Sequence, residues 1–142
     1  MKKFAFPLER VLDFRRTQAR VEEIRLEQLN TEIRGIEARQ AALDAQRRGS
    51  ETAVLSGPGA TGLELAELDR FRRFVSAERS RLERQRSDCA GRIAAQIQAV
   101  AQKRRDVRLL ERLRDRALSS WKVELGREIE AQAEEAHRAR RR

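Results

Sequence analysis

The sequence predicts an all-α protein, a long two-helix antiparallel coiled-coil hairpin with an overhanging C-terminal helix. Three observations predict it. Charged residues make up 39% of the 142-residue chain and aromatics only 4%, so few bulky groups can fill a broad core. Apolar residues still reach 39%. They are mostly Leu, Ala, Val and Ile, and they recur at helical spacing as narrow stripes, which argues against disorder. The turn-forming residues are concentrated in one stretch: residues 49–62 hold four of the seven glycines and one of the two prolines. The chain therefore reads as a single coiled-coil domain, 1–142, with a helix over about 7–48, a loop over 49–62 and a helix over about 63–138.

The first helix is expected to start near Pro7, because proline at the first helical position has no intrahelical N–H bond to lose. It is expected to end near Arg48, with Gly49 free to take a left-handed turn. Between them a 4,3 spacing runs through Leu8, Leu12, Arg15, Ala19, Glu22, Leu26, Leu29, Ile33, Ile36, Gln40 and Leu43. Eight of these eleven positions are apolar.

The second helix opens on Thr61-Gly-Leu-Glu64, a capping-box pattern. Its seam follows Leu65, Leu68, Val75, Leu82, Cys89, Ile93, Val100, Val107, Leu110 and Ala117. Arg72, Arg79 and Arg86 fall on intervening seam positions, and Phe71 and Phe74 lie beside them. Gly91 and Gly126 weaken the helix without ending it. A seven-residue repeat on both segments favours a left-handed antiparallel pair.

The two segments are unequal. At 1.5 Å per residue the first spans roughly 60 Å and the second roughly 120 Å. Folding at the centre of the loop would pair Leu43 with the region of Leu68, and Leu8 with the region of Lys103. The second helix would then overhang from about residue 108. That stretch still carries Leu109, Leu110, Leu113, Leu118, Trp121, Leu125 and Ile129. Apolar residues without an intramolecular partner imply an external one. Leu110, Leu113, Trp121 and Leu125 are the candidate partner-binding residues. For Trp121, a contact with a partner and a contact with its own chain through a bent C-terminal helix are both open readings.

No catalytic, cofactor-binding or metal-ligating residues are expected. Gly57-Pro-Gly59-Ala-Thr-Gly62 fits G-x-G-x-x-G, but no strand and no βαβ unit surround it, so it reads as a turn. No phosphate-binding G-x-x-x-x-G-K-[ST] motif occurs. His137 is the only histidine and has no companions for a metal. Cys89 falls on the seam and reads as a small buried contact. A thin helical pair offers no cleft to desolvate its carboxylates.

The net charge is +9, and all but four of the 32 basic residues are arginine. Residues 70–116 contain 15 Lys/Arg against 6 Asp/Glu. Nucleic-acid binding is thus a rival reading. No recognised binding fold and no aromatic stacking platform supports it, so no specific nucleic acid is expected. One cysteine fits a reducing compartment. No signal peptide is expected, since charged residues interrupt the early apolar run, and no stretch is long enough for a transmembrane segment. A cytoplasmic location follows.

The opening Phe4-Ala-Phe6-Pro-Leu8-Glu9-Arg10-Val11-Leu12-Asp13-Phe14-Arg15-Arg16 resembles the F-x-F-x-L-x-x-V-L-x-x-R start of the flagellar export protein FliJ family. Leu68-Asp-Arg-Phe71-Arg-Arg-Phe74 through Leu82 is similar to that family's segment after its loop. Lys103-Arg104-Arg105-Asp106-Val107-Arg108-Leu109-Leu110-Glu111-Arg112-Leu113 is similar to its basic C-terminal part. The tail has Glu134-Glu135-Ala136 but lacks the Asp-Glu pair common at the family's end.

The resemblance implies a two-helix stalk of the flagellar type III protein export apparatus, similar to the rotor stalk of rotary ATPases. Its partners would be the hexameric export ATPase, the membrane protein of the export gate, and export chaperones. Its place would be cytoplasmic, peripheral to the inner membrane at the flagellar base. A generic coiled-coil scaffold or secretion chaperone is the first rival, and a nucleic-acid-associated basic coiled coil is the second.

Overall fold

The structure, a computed structural model, describes residues 3–141. It contains two helices, α1 (Glu9–Leu55) and α2 (Gly62–Arg140), packed against each other as an all-α hairpin. No strand occurs among the described residues. The chain divides into two compact units, each built from both helices. The turn unit is Ile24–Gln98, and the terminal unit joins the residues up to Glu23 with those from Ala99 onward.

In the turn unit α1 contributes Ile36 and Leu43, and α2 contributes Val75, Leu82 and Cys89, to one buried cluster. Ile33, Phe71 and Ile93 pack against it. The α2 members, with buried Leu68, recur every seven residues, so each returns to the same helix face. Burying one such aliphatic side chain contributes about 1.5–3 kcal/mol. The Cys89 thiol is wholly enclosed, and its S–H donates to the Leu29 carbonyl at 3.6 Å.

The arginines on the α2 seam extend outward to carboxylates on α1. Arg72 meets Glu51 at 3.1 Å, Arg79 meets Asp44, and Arg86 meets Glu37 at 3.3 Å. Both series step by seven, one up the chain and one down, as antiparallel helices require. Arg92 adds a rung to Glu32 at 2.8 Å. Each side chain keeps its charged head near water while its stem covers the seam. Exposed pairs of this kind are worth about 0–1 kcal/mol each, so the ladder sets register more than stability.

The expected end of α1 moves. Gly49 was expected to end α1, yet the helix runs on to Leu55. No described glycine has a positive φ. The seam spacing continues through Arg47, Ser50 and Val54, all half-buried, and Glu51 is held by Arg72. Tertiary packing outweighs the ~1 kcal/mol helix penalty of glycine here. The connection is therefore residues 56–61, not 49–62.

The extra α1 turns also change the register. Leu43 was expected near Leu68 and Leu8 near Lys103. Instead Asp44 faces Arg79 and Glu9 faces Arg114. The overhang was expected from residue 108, but continuous exposure of α2 begins only at Ile129.

At the start of α2, the Glu64 amide donates to Thr61 Oγ1 at 3.2 Å, and the Thr61 amide donates to a Glu64 carboxylate oxygen at 2.9 Å. This is the reciprocal capping box the sequence predicts. Thr61→Ala should lower hairpin stability by about 1 kcal/mol, read as a shift in the urea midpoint.

Candidate partner-binding surface

The terminal unit has a smaller core than the turn unit. Leu12 and Ala19 from α1 and Val100 from α2 are buried. Around them, one flank carries ion pairs. Arg114 meets Glu9 at 2.9 Å, Arg16 meets Glu111 at 3.2 Å, and Arg104 meets Glu23 at 2.9 Å. Glu9, Arg16 and Glu23 are seven residues apart and share one α1 face. Arg15 turns to the other flank, where it donates to Gln18 at 3.2 Å and lies 3.7 Å from Asp106.

The candidate residues divide into two kinds. Leu110 is half-buried at a seam position. Trp121 stacks obliquely on Phe4, with ring centroids 6.0 Å apart. The Arg114 guanidinium lies 6.0 Å from the Phe4 ring centre, a cation–π geometry that ties the Glu9 pair to the aromatic pair. Trp121 thus contacts its own chain, but through the opening segment before α1 and not through a bend in α2, which is one continuous helix. Leu113 lies at the exposed edge, and Leu125 is half-buried beyond Trp121. The structure thus brings Leu110 and Trp121 into the hairpin and leaves Leu113 facing outward. Phe4→Ala should cost the terminal unit about 1 kcal/mol. It should also shift the emission of Trp121, the sole tryptophan, to longer wavelength.

α2 continues past this point. Every residue from Ile129 to Arg141 is exposed, and its last turn carries His137, Arg138 and Arg140. Among the grooves along the terminal unit, two border the candidate residues or the seam. One, of about 420 Å³, has Ala19 and Val107 as its floor and Arg16, Arg20, Arg104 and Arg108 around it. The other lies between Phe4 and Trp121 and reaches Ala117 and Glu124. Neither holds a converging set of acid, base and nucleophile.

Perturbed ionisation marks ion pairing, not a reaction centre. The hydrogen bond from Arg81 holds the Glu78 carboxyl below its ordinary range and raises the Arg81 guanidinium in return. A hydrogen bond to Glu32 likewise raises Arg92. Arg81 and Arg92 are solvent-exposed, and Glu78 is half-buried. Among the described residues no cluster of three His, Cys, Asp or Glu is placed to hold a metal ion. Gly57 to Thr61 lie in the turn after a helix, not after a strand, and Gly62 opens α2. No described helix is long and apolar enough to cross a membrane.

The seven-residue spacing of Glu37, Asp44 and Glu51 is the signal in the sequence that identifies the ladder partners. It becomes legible once the antiparallel register is known. Compared with protein-family models, curated proteins and solved structures, the chain matches none.

Proposed function

We propose that this chain is a non-catalytic stalk and adaptor of a flagellar type III protein export apparatus. It binds the hexameric export ATPase and couples it to the membrane export gate and to export chaperones. It works on the cytoplasmic side, peripheral to the inner membrane at the flagellar base.

The observation that carries this reading is the inequality of the helices. α2 has 79 residues against 47 in α1, and its residues from Ile129 to Arg140 are all exposed. A helix that outlasts its own partner offers a face to another protein. The FliJ-like opening, Phe4 to Arg16, points to which assembly that protein belongs to.

The physics suits the role. Two helices side by side are about 20 Å wide, narrow enough to enter the channel of a ring ATPase. A hairpin is asymmetric and a hexameric ring is not, so one bound hairpin meets six sites in six ways. It therefore biases which site closes. Leu113 and Leu125 would touch the partner, while Leu110 and Trp121 would support that surface from within the hairpin.

The test is to mix the purified chain with its cognate export ATPase and follow hexamer formation and ATP turnover. Both should rise. A chain truncated after Glu128 should keep its fold and lose part of the effect. No change in either quantity with the full chain would refute the stalk reading.

A further inference from the structure

The terminal unit has a second exposed feature, which shares only Leu113 with the proposed stalk surface. Arg15 reaches the flank that holds Gln18 and Asp106. In a seven-residue repeat, positions seven apart share a face. Val11 lies seven before Gln18 on α1, and Leu113 lies seven after Asp106 on α2. Because the helices are antiparallel, both steps lead to the same level of the same flank. Phe14 is one turn from Val11, and Leu109 is one turn from Leu113. These four side chains are large, apolar and exposed: Val11 42%, Phe14 59%, Leu109 61% and Leu113 39%. Scattered surface leucines need no explanation, but four that converge across two helices form a patch.

The rim of this patch is cationic. Along α2, Arg105 lies one turn before Leu109, Arg112 one turn after it, and Arg116 one turn after Leu113, while Arg10 precedes Val11. None of the four has a carboxylate partner among the described residues, although Glu9, Glu23, Glu111 and Asp106 are all engaged with other arginines. Unpaired guanidiniums beside an apolar centre favour carboxylates from outside. A second copy of this chain would set arginines against arginines across a two-fold contact.

We infer that the Val11–Phe14–Leu109–Leu113 patch docks an acidic amphipathic helix of another protein. The helix lies along the shallow groove between α1 and α2 as a third strand of the coil. Its apolar residues, at i, i+3/i+4 and i+7, cover the four side chains. Carboxylates on either side of that stripe meet Arg10, Arg105, Arg112 and Arg116.

The test uses the full chain and a synthetic labelled helical peptide with a leucine stripe flanked by glutamates. A matched peptide carries lysine in place of glutamate. Anisotropy titrations should show binding of the acidic peptide and little of the basic one. The double variant Phe14→Ser/Leu109→Ser should weaken binding by about tenfold or more. Both positions are exposed, so circular dichroism melts should match the parent. Arg112→Glu/Arg116→Glu should weaken binding similarly without touching the apolar centre. Equal binding of the two peptides, or binding undiminished in both variants, would overturn the inference. So would a parent chain that sediments as a dimer and becomes monomeric on Phe14→Ser/Leu109→Ser. Vesicles of phosphatidylcholine with phosphatidylserine provide the last arm. Patch-dependent binding to them without binding of the acidic peptide would reassign the surface to lipid.

Discussion

Leu82→Ala should lower the stability of the turn unit by about 3 kcal/mol, the middle of the range for a buried leucine truncated to alanine. Leu82 is 2% exposed and lies between Val75 and Cys89 in the one buried cluster of this unit. Two helices alone form a narrow interface, so no third layer can relax into the space left by the lost side chain. The loss is then transfer free energy plus cavity. Urea unfolding followed by circular dichroism should show an earlier midpoint with an unchanged slope. A conservative control, Leu82→Met, should cost less than about 1.5 kcal/mol because volume is kept. A loss under 1 kcal/mol for the alanine variant would mean that Leu82 is not the keystone its burial indicates.

The second large effect belongs to Leu12. It is 0% exposed, and its buried companions are the smaller Ala19 and Val100. With so little else to hold the terminal unit, Leu12→Ala should again cost about 3 kcal/mol, but locally. Amide hydrogen exchange should accelerate over residues 9–20 and 104–121. The amides around Val75, Leu82 and Cys89 should keep their protection, because their contacts lie in the other unit. Equal acceleration in both units would show that the hairpin opens as one cooperative body.

Much of this architecture is legible in the residues. The stripe from Leu26 to Leu43 and its counterpart from Leu68 to Cys89 identify both helices and their buried faces, because period and burial are two views of one constraint. The capping box at Thr61 fixes where α2 begins. Gly49 misleads, since its local preference is overridden by seam residues Ser50 and Val54, which only tertiary packing reveals. That single difference propagates: seven more helical residues move the turn, shift every cross-pair, and draw Leu110 and Trp121 into the hairpin. The Phe4 partner of Trp121 is invisible to helical periodicity because it precedes α1. The apolar flank of Val11, Phe14, Leu109 and Leu113 also depends on the register and so could not be assembled from spacing alone.

The arginine ladder of the turn unit has rungs that look alike. Moving α2 by one heptad would put Arg79 against Glu51 and Arg86 against Asp44, with the same chemistry at each crossing. Charge matching by itself therefore does not single out one alignment. Uniqueness must come from features that occur once. In the turn unit that feature is the six-residue connection clamped by Thr61 and Glu64, too short to supply a heptad of slack. In the terminal unit it is the Phe4–Trp121 ring pair, which has no duplicate one heptad away. The repetitive part of the molecule supplies cohesion, and two non-repeating details act as its alignment pins.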